Sequence, residues 1–287
     1  MPVSLLIVNY HVYDDLNRCL TAVDCALRPG DEVIVFDQES DEAKRAAVEA
    51  RHPGVRWVVS PRNVGFAAAI NRAAAAARTP RLLWLNPDAV ISAPVVETLD
   101  AWLTSHPETG CVGPRVVNED GRVQASARRF PDPTTAIAGR STWLTRHFPN
   151  NWLTRHNLPA RTADHPQTVD WLAGSCLLTR RDLFERLGGL DEGFFLYWED
   201  ADYCRRAAAL GFGCTYLPAV SVQHAVGRSA ALNPATAIRA FHASAYRMFA
   251  KYTGRVGRVC APLVRLALWT RGEILARAAL RRIRHTR

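Results

Sequence analysis

The sequence predicts an α/β protein whose central sheet is mostly parallel and whose chain ends in helices. Short apolar runs of strand length alternate with segments of helical spacing from residue 3 to residue 86. Polar residues follow each of these apolar runs, and an arginine-rich segment with helical spacing closes the chain. With 287 residues, of which 48% are hydrophobic, the chain is long enough to bury a sizeable core.

The first third of the chain carries the repeated pattern. Its apolar runs predict four buried strands, at Val3–Asn9, Glu32–Asp37, Val55–Ser60 and Arg81–Asn86. Its helical spacing predicts three intervening helices, at Asp14–Leu27, Asp41–Arg51 and Gly65–Arg78. Repeated βα units of this length favour a parallel sheet with helices packed on its faces.

The rest of the chain is less regular. Phe130–Asn157 lacks periodicity, which predicts a long, partly mobile loop of the kind that often carries function. Strands are predicted at Thr168–Thr179, Gly213–Leu217 and Val220–His224. Helices are predicted at Arg181–Leu187, after the Phe194–Asp200 run and ending at Gly211, at Pro234–Tyr252 and at Val256–Arg284, the last with Pro262 as an alternative start.

The positive charge is concentrated at the end of the chain. From Lys251 onward there are ten Lys and Arg residues and one acid, Glu273, so this segment accounts for the whole net charge of +9. An anionic partner is therefore expected there, and nucleic acid and a membrane surface are both candidates. Apolar residues lie between the arginines, at Val259, Leu263, Leu266, Leu268, Trp269, Ile274 and Leu275. This pattern predicts a basic amphipathic helix at a membrane surface, and packing on the protein body or a dimer contact is the alternative.

The cysteines and the first ten residues indicate in which cellular compartment the protein is expected. The seven cysteines are an odd number without a Cys-x-x-Cys pair, which argues against a disulfide framework and against a structural zinc site. The first ten residues have no basic leader, and no segment reaches the roughly 18–20 apolar residues that span a bilayer. We expect a cytoplasmic protein that the tail places at the inner face of the cell membrane.

Polar residues follow all four predicted strands of the first third. They are Asn9-Tyr10-His11, Asp37–Ser40, Asn63-Val64-Gly65 and Asn86-Pro87-Asp88. Ligands of open α/β sheets bind at these carboxyl ends, so the pattern indicates a binding site. Asp37 suits the imide N–H of uracil or thymine, or else caps a helix. Gly65 allows the backbone to approach a ligand, or simply forms a strand-to-helix turn.

Three residues are candidates for binding a cation and phosphate. Asp88 offers the hard oxygen that Mg²⁺ or Mn²⁺ prefers, although an Asx turn would also place an aspartate after the strand. His224 ends a strand and is a candidate Mn²⁺ ligand, although most single histidines at strand ends are structural. Arg228 suits a phosphate group, or else forms part of a turn.

Trp198–Asp202 places three carboxylates within four residues at a predicted helix start. A carboxylate at a helix N-terminus is favoured in its ionised form, which suits a general base at neutral pH. Capping of the helix by Asp200 or Asp202 is the structural interpretation, and one residue can serve both purposes.

Seven segments occur together in a fixed order from residue 3 to about residue 229. They are Val3–Tyr10, Val35–Ser40, Arg62–Ala67, Leu85–Ala89, Ala173–Leu178, Gly188–Phe195 and Trp198–Asp202. In this combination the chain resembles the inverting family-2 glycosyltransferases of GT-A fold, and within them the bacterial rhamnosyltransferase and galactofuranosyltransferase-like branch.

The resemblance implies a role for each candidate residue. Asp200 would be the catalytic base with Glu199 beside it, and Asp88 and His224 would bind the metal ion. The nucleotide donor would contact Asn9, Tyr10, Asp37, Asn63, Gly65, Asn86 and Arg228. The sugar or acceptor would contact Trp171, Gly174 and Trp198. Residues 1–95 would form the donor-binding half of one domain, residues 96–230 its acceptor and catalytic half, and residues 231–287 a basic helical tail.

The resemblance also implies the reaction. A sugar would move, with inversion, from a dTDP or UDP donor to a hydroxyl of a saccharide or lipid-linked saccharide in polysaccharide synthesis, with Mg²⁺ or Mn²⁺ as cofactor. dTDP-rhamnose is the expected donor. Two departures are present: Asn86 replaces a carboxylate of the usual Asp-x-Asp, and Asp37–Ser40 reads Asp-Gln-Glu-Ser where Asp-Asn-x-Ser is usual.

Three other functions fit parts of the sequence. A nucleotidyltransferase would need a glycine-rich phosphate loop and a signature lysine near the N-terminus, and the sequence has neither. A nucleic-acid-binding module would explain the basic tail but not the polar strand ends, so we expect no nucleic acid partner. A non-catalytic relative would have no need of Asp88 and Asp200, and both are present.

Overall fold

The computed structural model describes residues 1–130, 146–148, 151–157, 164–225 and 227–285. Its strands are β1 (Val3–Asn9), β2 (Glu32–Gln38), β3 (Val55–Ser60), β4 (Arg81–Leu85), β5 (Ala89–Val90), β6 (Thr109–Val117), β7 (Ala127–Arg128), β8 (Gln167–Val169), β9 (Trp171–Leu172), β10 (Cys176–Arg180) and β11 (Gly213–His224). Its helices are α1 (Tyr13–Asp24), α2 (Glu42–Glu49), α3 (Phe66–Ala76), α4 (Ala93–Ser105), α5 (Trp152–Asn157), α6 (Arg181–Arg186), α7 (Glu199–Ala209), α8 (Arg228–Leu232), α9 (Pro234–Tyr252) and α10 (Arg255–His285).

A nine-stranded sheet forms the centre of the fold. Its order is β3-β2-β1-β4-β10-β6-β11-β5, and β8 pairs with β11 as well. Strands β1 to β4 pair in parallel, and β11 pairs in parallel with β6. Strand β10 is antiparallel to both of its neighbours, β4 and β6. The mostly parallel α/β architecture predicted from the sequence is confirmed, and the sheet runs unbroken through both predicted halves.

The sheet is covered on both faces. Apolar residues of α1 and α4, such as Leu16 and Leu99, pack on one face. Residues of α3, α6 and α7, such as Ile70, Phe184 and Tyr203, pack on the other. All seven residues of β1 are buried, which explains why the sequence shows a continuous apolar run there instead of an alternating one.

The structure differs from the sequence prediction in the second half. The single strand predicted at Thr168–Thr179 is instead β8, β9 and the start of β10, because the turn Ala173–Ser175 interrupts it. The two short strands predicted before His224 form one strand, β11, with a register shift between Leu217 and Ser221. Helix α4 and strand β6 were not predicted. Strand β6 contains Gly110, Gly113 and Pro114, which are residue types that usually interrupt strands. Most of the loop predicted at Phe130–Asn157 lies outside the described residues.

Helices α9 and α10 form a hairpin that is joined to the body through Asp202 of α7. The Asp202 carboxylate is fully buried and accepts a hydrogen bond from Arg206 Nε at 2.8 Å. Lys251 Nζ lies 2.6 Å from it, and the Tyr252 hydroxyl donates to it at 2.7 Å. A buried carboxylate therefore joins the end of α9 to the first turn of α7.

Helix α10 packs on α9 through one face and leaves the opposite face exposed. Glu273 pairs with Arg239 of α9, and Ala276 is fully buried. On the outer face Val259 is 81% exposed, Leu263 71% and Trp269 62%. Within the part of the chain that the structure describes, no helix combines the length and hydropathy that a bilayer crossing would require.

We predict that Asp202→Ala lowers the free energy of unfolding by about 3 kcal/mol, because it removes the fully buried carboxylate that binds Arg206, Lys251 and Tyr252. Denaturant unfolding followed by circular dichroism measures this change. Glu185→Ala is the control, because Glu185 makes an exposed ion pair with Arg181 at 3.6 Å. Its loss should cost less than about 1 kcal/mol. Equal costs for the two variants would contradict the role given to Asp202.

Candidate active site

The short strand β5 brings Asp88 and His224 together from positions far apart in the sequence. Pro87 ends β4, the chain turns, and β5 pairs with the end of β11 so that Ala89 lies opposite His224. Asp88 Oδ1 is 3.1 Å from His224 Nε2, and the two side chains are only 6% and 9% exposed. The Ala225 N–H donates to the Asp88 carbonyl at 3.1 Å and closes the same turn. The two residues that the resemblance assigned to a metal ion are therefore adjacent.

Gln124 sets the tautomer of His224. The Gln124 side-chain amide donates to the His224 carbonyl at 2.8 Å and to Asn118 Oδ1 at 2.9 Å. Its oxygen, 3.1 Å from His224 Nδ1, must then accept the hydrogen from that nitrogen. The lone pair of Nε2 is left facing Asp88, which is the arrangement in which a histidine binds a metal ion.

Asn86 and a small cavity complete this region. Asn86 Nδ2 is 3.0 Å from His224 Nε2, and the Asn86 N–H donates to the Ser175 carbonyl at 3.0 Å. Asp88 and Glu119 line a cavity of about 30 Å³, together with Asp15, Arg18, Val90, Gln223 and Ala225. This volume suits one water molecule or one cation. The Asp88 carboxylate beside this cavity, and the His224 Nε2 that lies 3.1 Å from Asp88 Oδ1, are ligands that fit Mg²⁺ or Mn²⁺.

Asp200 lies at the first turn of α7 and its carboxylate accepts two backbone hydrogen bonds. Gly174 N–H donates to Oδ2 at 2.9 Å, and Ala201 N–H donates to Oδ1 at 2.8 Å. Burial raises the pKa of Asp200 to about 6. The two N–H groups and the guanidinium of Arg128 act in the opposite direction and lower this pKa. The carboxylate is therefore ionised at neutral pH yet basic enough to accept a proton.

Glu199 has a different environment although it precedes Asp200 in the chain. It is 5% exposed, and its Oε2 is buried without a hydrogen-bond partner among the described residues. Burial, and then the neighbouring charge of Asp200, raise the pKa of Glu199 well above its usual value. Glu199 thus releases its proton less readily than a carboxylic acid in water does.

The backbone before α7 is held in an unusual conformation. Tyr197 and Trp198 have φ values of +68° and +73°, in the left-handed region that side chains other than glycine rarely adopt. Phe66 N–H, at the start of α3, donates to the Phe195 carbonyl at 2.8 Å. The Ser244 hydroxyl of α9 donates to the Leu196 carbonyl at 2.9 Å. Contacts from two helices therefore maintain the bend that presents Glu199 and Asp200.

Asn9 and Asp37 lie together at the ends of β1 and β2, where the sequence placed the nucleoside site. Asn9 Nδ2 donates to Asp37 Oδ1 at 2.7 Å, and the Tyr13 hydroxyl donates to Asp37 Oδ2 at 2.9 Å. Ser40 also donates to Oδ2. Both Asn9 and Asp37 are fully buried. In this structure Asp37 organises the strand ends, and its contact with a base stays a prediction.

Tyr10, Glu39 and Asn63 form the accessible rim above this buried pair. The Tyr10 hydroxyl lies within hydrogen-bonding reach of the Glu39 and Asn63 side chains. Glu39 has a φ of +48°, and its carboxylate accepts from Asn63 N–H at 3.3 Å. Gly65 follows with a φ of +85°, and a Cβ there would lie 2.4 Å from the Phe195 carbonyl oxygen. The structure thus requires glycine at residue 65 because of Phe195.

The two tryptophans assigned to the sugar lie side by side. The Trp171 and Trp198 rings are 6.3 Å apart, and the Arg128 guanidinium lies 4.7 Å from the Trp171 ring centre. Trp171 is largely buried, and Phe241 of α9 contacts Trp198. Gly174 contributes its N–H to Asp200, and its Cα has room for a methyl group.

Arg228 lies farther out than the other candidates. It begins the short helix α8 and pairs with Glu119 at 3.3 Å on the surface. Glu119 lines the same small cavity as Asp88, so Arg228 reaches this region only through Glu119.

Three residues of the site were not identified from the sequence: Gln124, Arg128 and Ser175. Gln124 and Arg128 lie in a stretch without clear periodicity, and nothing in their local sequence marks them. Ser175 belongs to the Ala173–Leu178 segment of the resemblance, but it acts through its carbonyl, which residue type does not reveal.

Comparisons with known proteins identify the family of this chain. Residues 1–254 match the family model described as glycosyltransferase like family 2. The N-acetylglucosaminyl-diphospho-decaprenol L-rhamnosyltransferase of Mycobacterium tuberculosis is 31% identical over 96% of this chain and 94% of its own length. The low-salt glycan biosynthesis hexosyltransferase Agl10 of Haloferax volcanii is 27% identical over 71% of this chain and 61% of its own.

Among solved structures, a mannosyltransferase from Pyrobaculum calidifontis in complex with GDP-Man and Mn²⁺ has a TM-score of 0.59 and 19% identity. This match covers 97% of this chain and 73% of that one. The family and the fold expected from the sequence are both confirmed. The chain belongs to the family-2 glycosyltransferases and has the GT-A fold.

Proposed function

We propose that this protein is a metal-dependent, inverting rhamnosyltransferase that uses a dTDP-sugar and a lipid-linked saccharide acceptor. The observation that carries the proposal is the shared turn Ala173–Ser175. It bonds to Asp200 through the Gly174 N–H and to the Asn86 segment through the Ser175 carbonyl. One turn therefore contacts both the candidate base and the segment that carries a metal-binding residue. A single displacement at a sugar phosphate requires a base and a metal ion held in fixed positions.

The metal ion would be held by Asp88 and His224. When bound, it neutralises the charge that develops on the leaving diphosphate. Gln124 keeps His224 Nε2 free of hydrogen, and the turn after β4 keeps Asp88 facing it. Asn86 adds no charge, so the donor's phosphates would complete the set of ligands.

Asp200 would accept the proton of the acceptor hydroxyl. Its two backbone donors fix the carboxylate in position, so the proton goes to an oxygen lone pair that these N–H groups leave open. The hydroxyl oxygen attacks the anomeric carbon on the face opposite the diphosphate, the bond to the diphosphate breaks, and the configuration inverts. The raised pKa of Glu199 favours its neutral form, so Asp200 is the better candidate for the base.

The donor and acceptor assignments rest on the rim residues and on the relatives. Tyr10, Glu39 and Asn63 are accessible beside the metal-binding segment and suit a pyrimidine nucleoside. The relative from Mycobacterium tuberculosis is named for rhamnose transfer to a sugar diphosphate lipid. This name supports a rhamnose donor and a lipid-linked acceptor for the present chain.

The outer face of α10 would bring the enzyme to such an acceptor. Val259, Leu263 and Trp269 are exposed between arginines that are also exposed, among them Arg258 and Arg265. Buried apolar area and attraction to anionic lipids add together in helices of this kind. We therefore propose peripheral binding at an anionic membrane.

We predict that the purified protein transfers one sugar from a panel of nucleotide sugars, only with Mg²⁺ or Mn²⁺, and that Asp200→Asn lowers kcat about 10²–10⁴-fold with donor binding kept. Transfer is measured by product chromatography and donor binding by calorimetry. Asp182→Asn, which removes an exposed carboxylate, is the control and should be fully active. If no donor binds with either metal ion, the proposed function is wrong.

We predict that kcat/KM falls about tenfold per pH unit below about 6 and is level above it. Asp200 must lose its proton to act, and its pKa is raised to about 6. Arg128→Gln should move this limb to higher pH, because Arg128 lowers the pKa of Asp200. A pH profile of initial rates for both proteins tests this. If kcat/KM falls at the same pH in both proteins, the fall is not caused by protonation of Asp200.

We predict that the double substitution Leu263→Ser and Trp269→Ser weakens binding to anionic lipid vesicles about tenfold or more. Co-sedimentation with anionic and neutral vesicles measures the affinity. The matched control is Leu210→Ser, since Leu210 is 44% exposed on the body and away from α10. If the wild type ignores vesicles but dimerises through α10 in ultracentrifugation, the face is a dimer contact and the membrane proposal is wrong.

A further inference from the structure

Three cysteines that are far apart in the sequence meet in the core beneath α7. Cys111 lies on β6, Cys214 lies opposite it on β11, and Cys204 lies on α7. Their sulfur atoms lie within 4.8 Å of one another. Cys111 and Cys204 are fully buried and Cys214 is 2% exposed. We call these three residues the thiol cluster.

We propose that the thiol cluster binds one thiophilic d¹⁰ metal ion of the Zn²⁺ class, separate from the ion at Asp88. Each of the three side chains comes from a different element, and all three sulfurs converge on one point. The other buried cysteines do not converge in this way among the described residues.

The geometry is close to that of a bound ion. A Zn–S bond is about 2.3 Å, so three sulfurs around one ion lie about 3.8–4.0 Å apart. To bind one ion, each pair of sulfur atoms would have to approach by less than about 1 Å. A side-chain rotation and a small strand shift can provide this movement. Three sulfur ligands without carboxylate or imidazole favour a soft ion and exclude Mg²⁺.

Neighbouring groups suit bound sulfur. The Thr179 hydroxyl lies 3.8 Å from the Cys111 sulfur, and it also contacts the Gly110 carbonyl and the Tyr203 hydroxyl. When Cys111 gives up its hydrogen, Thr179 can donate to the sulfur instead, as groups behind metal ligands commonly do. If one of the three thiols keeps its proton, a complex with a divalent ion is neutral, which a dry core favours.

The cluster is in contact with the catalytic helix. Cys204 follows Asp200 by four residues, so the two side chains lie on the same face of α7 about one turn apart. An ion at the cluster would fix α7 to β6 and β11, and so hold the register of the helix that begins with Glu199 and Asp200. Cys204 would act as a positioning residue, because it touches neither donor nor acceptor in this arrangement.

The ion would enter during folding. All three cysteines are buried, so an ion reaches them before the core closes. Binding then releases protons and contributes to the folding free energy, as at other thiolate sites. The site is therefore tested by refolding in the presence of metal as well as on the protein as purified.

The test uses the full chain carrying Asp88→Asn, which removes an oxygen ligand of the other candidate site. Protein from zinc-supplemented cells is analysed for metal by mass spectrometry. It is then unfolded, stripped and refolded with Cd²⁺ or Mg²⁺. We expect about one equivalent of zinc, a thiolate-to-metal absorption band with Cd²⁺ but not Mg²⁺, and a higher melting temperature with Cd²⁺.

Variants identify the ligands. Cys111→Ala and Cys204→Ala should each lose the bound zinc and the Cd²⁺ band, whereas Cys176→Ala should keep both. Cys176 is an equally buried cysteine outside the cluster and is the matched control. If the wild-type cysteines bind well below one equivalent and give no band on refolding with Cd²⁺, they are apolar packing and the proposal is wrong. Retention of the band in both cluster variants would also overturn it. The readout is independent of sugar transfer.

Discussion

The arrangement of the site depends on one antiparallel strand. Because β10 runs against β4 and β6, its first residue lies at the edge where those strands end, and the turn Ala173–Ser175 is placed there. The turn's three backbone contacts reach Asp200, Asn86 and Ser126, at 2.9, 3.0 and 2.7 Å. An all-parallel sheet would have delivered the start of this strand to the opposite edge. This reversal of direction joins the helix that carries Asp200 to the segment that carries Asp88.

The same turn gives the adjacent carboxyl groups of Glu199 and Asp200 different surroundings. Asp200 receives the Gly174 and Ala201 N–H groups, which stabilise its ionised form in spite of burial. Glu199 receives no such donor at Oε2 and is pushed toward its neutral form by the charge beside it. The two neighbouring carboxyl groups thus have different surroundings, and burial raises the pKa of both. A sequence shows only that both residues are acidic, so the division of roles between them becomes visible in the hydrogen bonds.

The sequence could predict what depends on local patterns, and the first four strands are an example. Their apolar runs and polar ends appear in the structure within one or two residues, because β1, β2 and β4 are buried on both faces. Strand β6 could not be predicted, since Gly110, Gly113 and Pro114 interrupt its pattern while neighbouring strands and a helix supply the burial. The pairing of Asp88 with His224 followed from family resemblance, but the tautomer set by Gln124 required coordinates. The thiol cluster could not be predicted from cysteine spacing, because sheet register brings Cys111 beside Cys214.

The C-terminal helices belong to the catalytic architecture as well as to the surface. Two successive left-handed residues, Tyr197 and Trp198, cost about 1–3 kcal/mol each and persist only when surrounding contacts impose them. Helix α9 supplies such contacts, through Ser244 to the Leu196 carbonyl and through Phe241 to the Trp198 ring. The next element, α10, packs on α9 and carries the exposed apolar face. Helix α9 therefore lies between the exposed face of α10 and the bend that presents Glu199 and Asp200, and it contacts both.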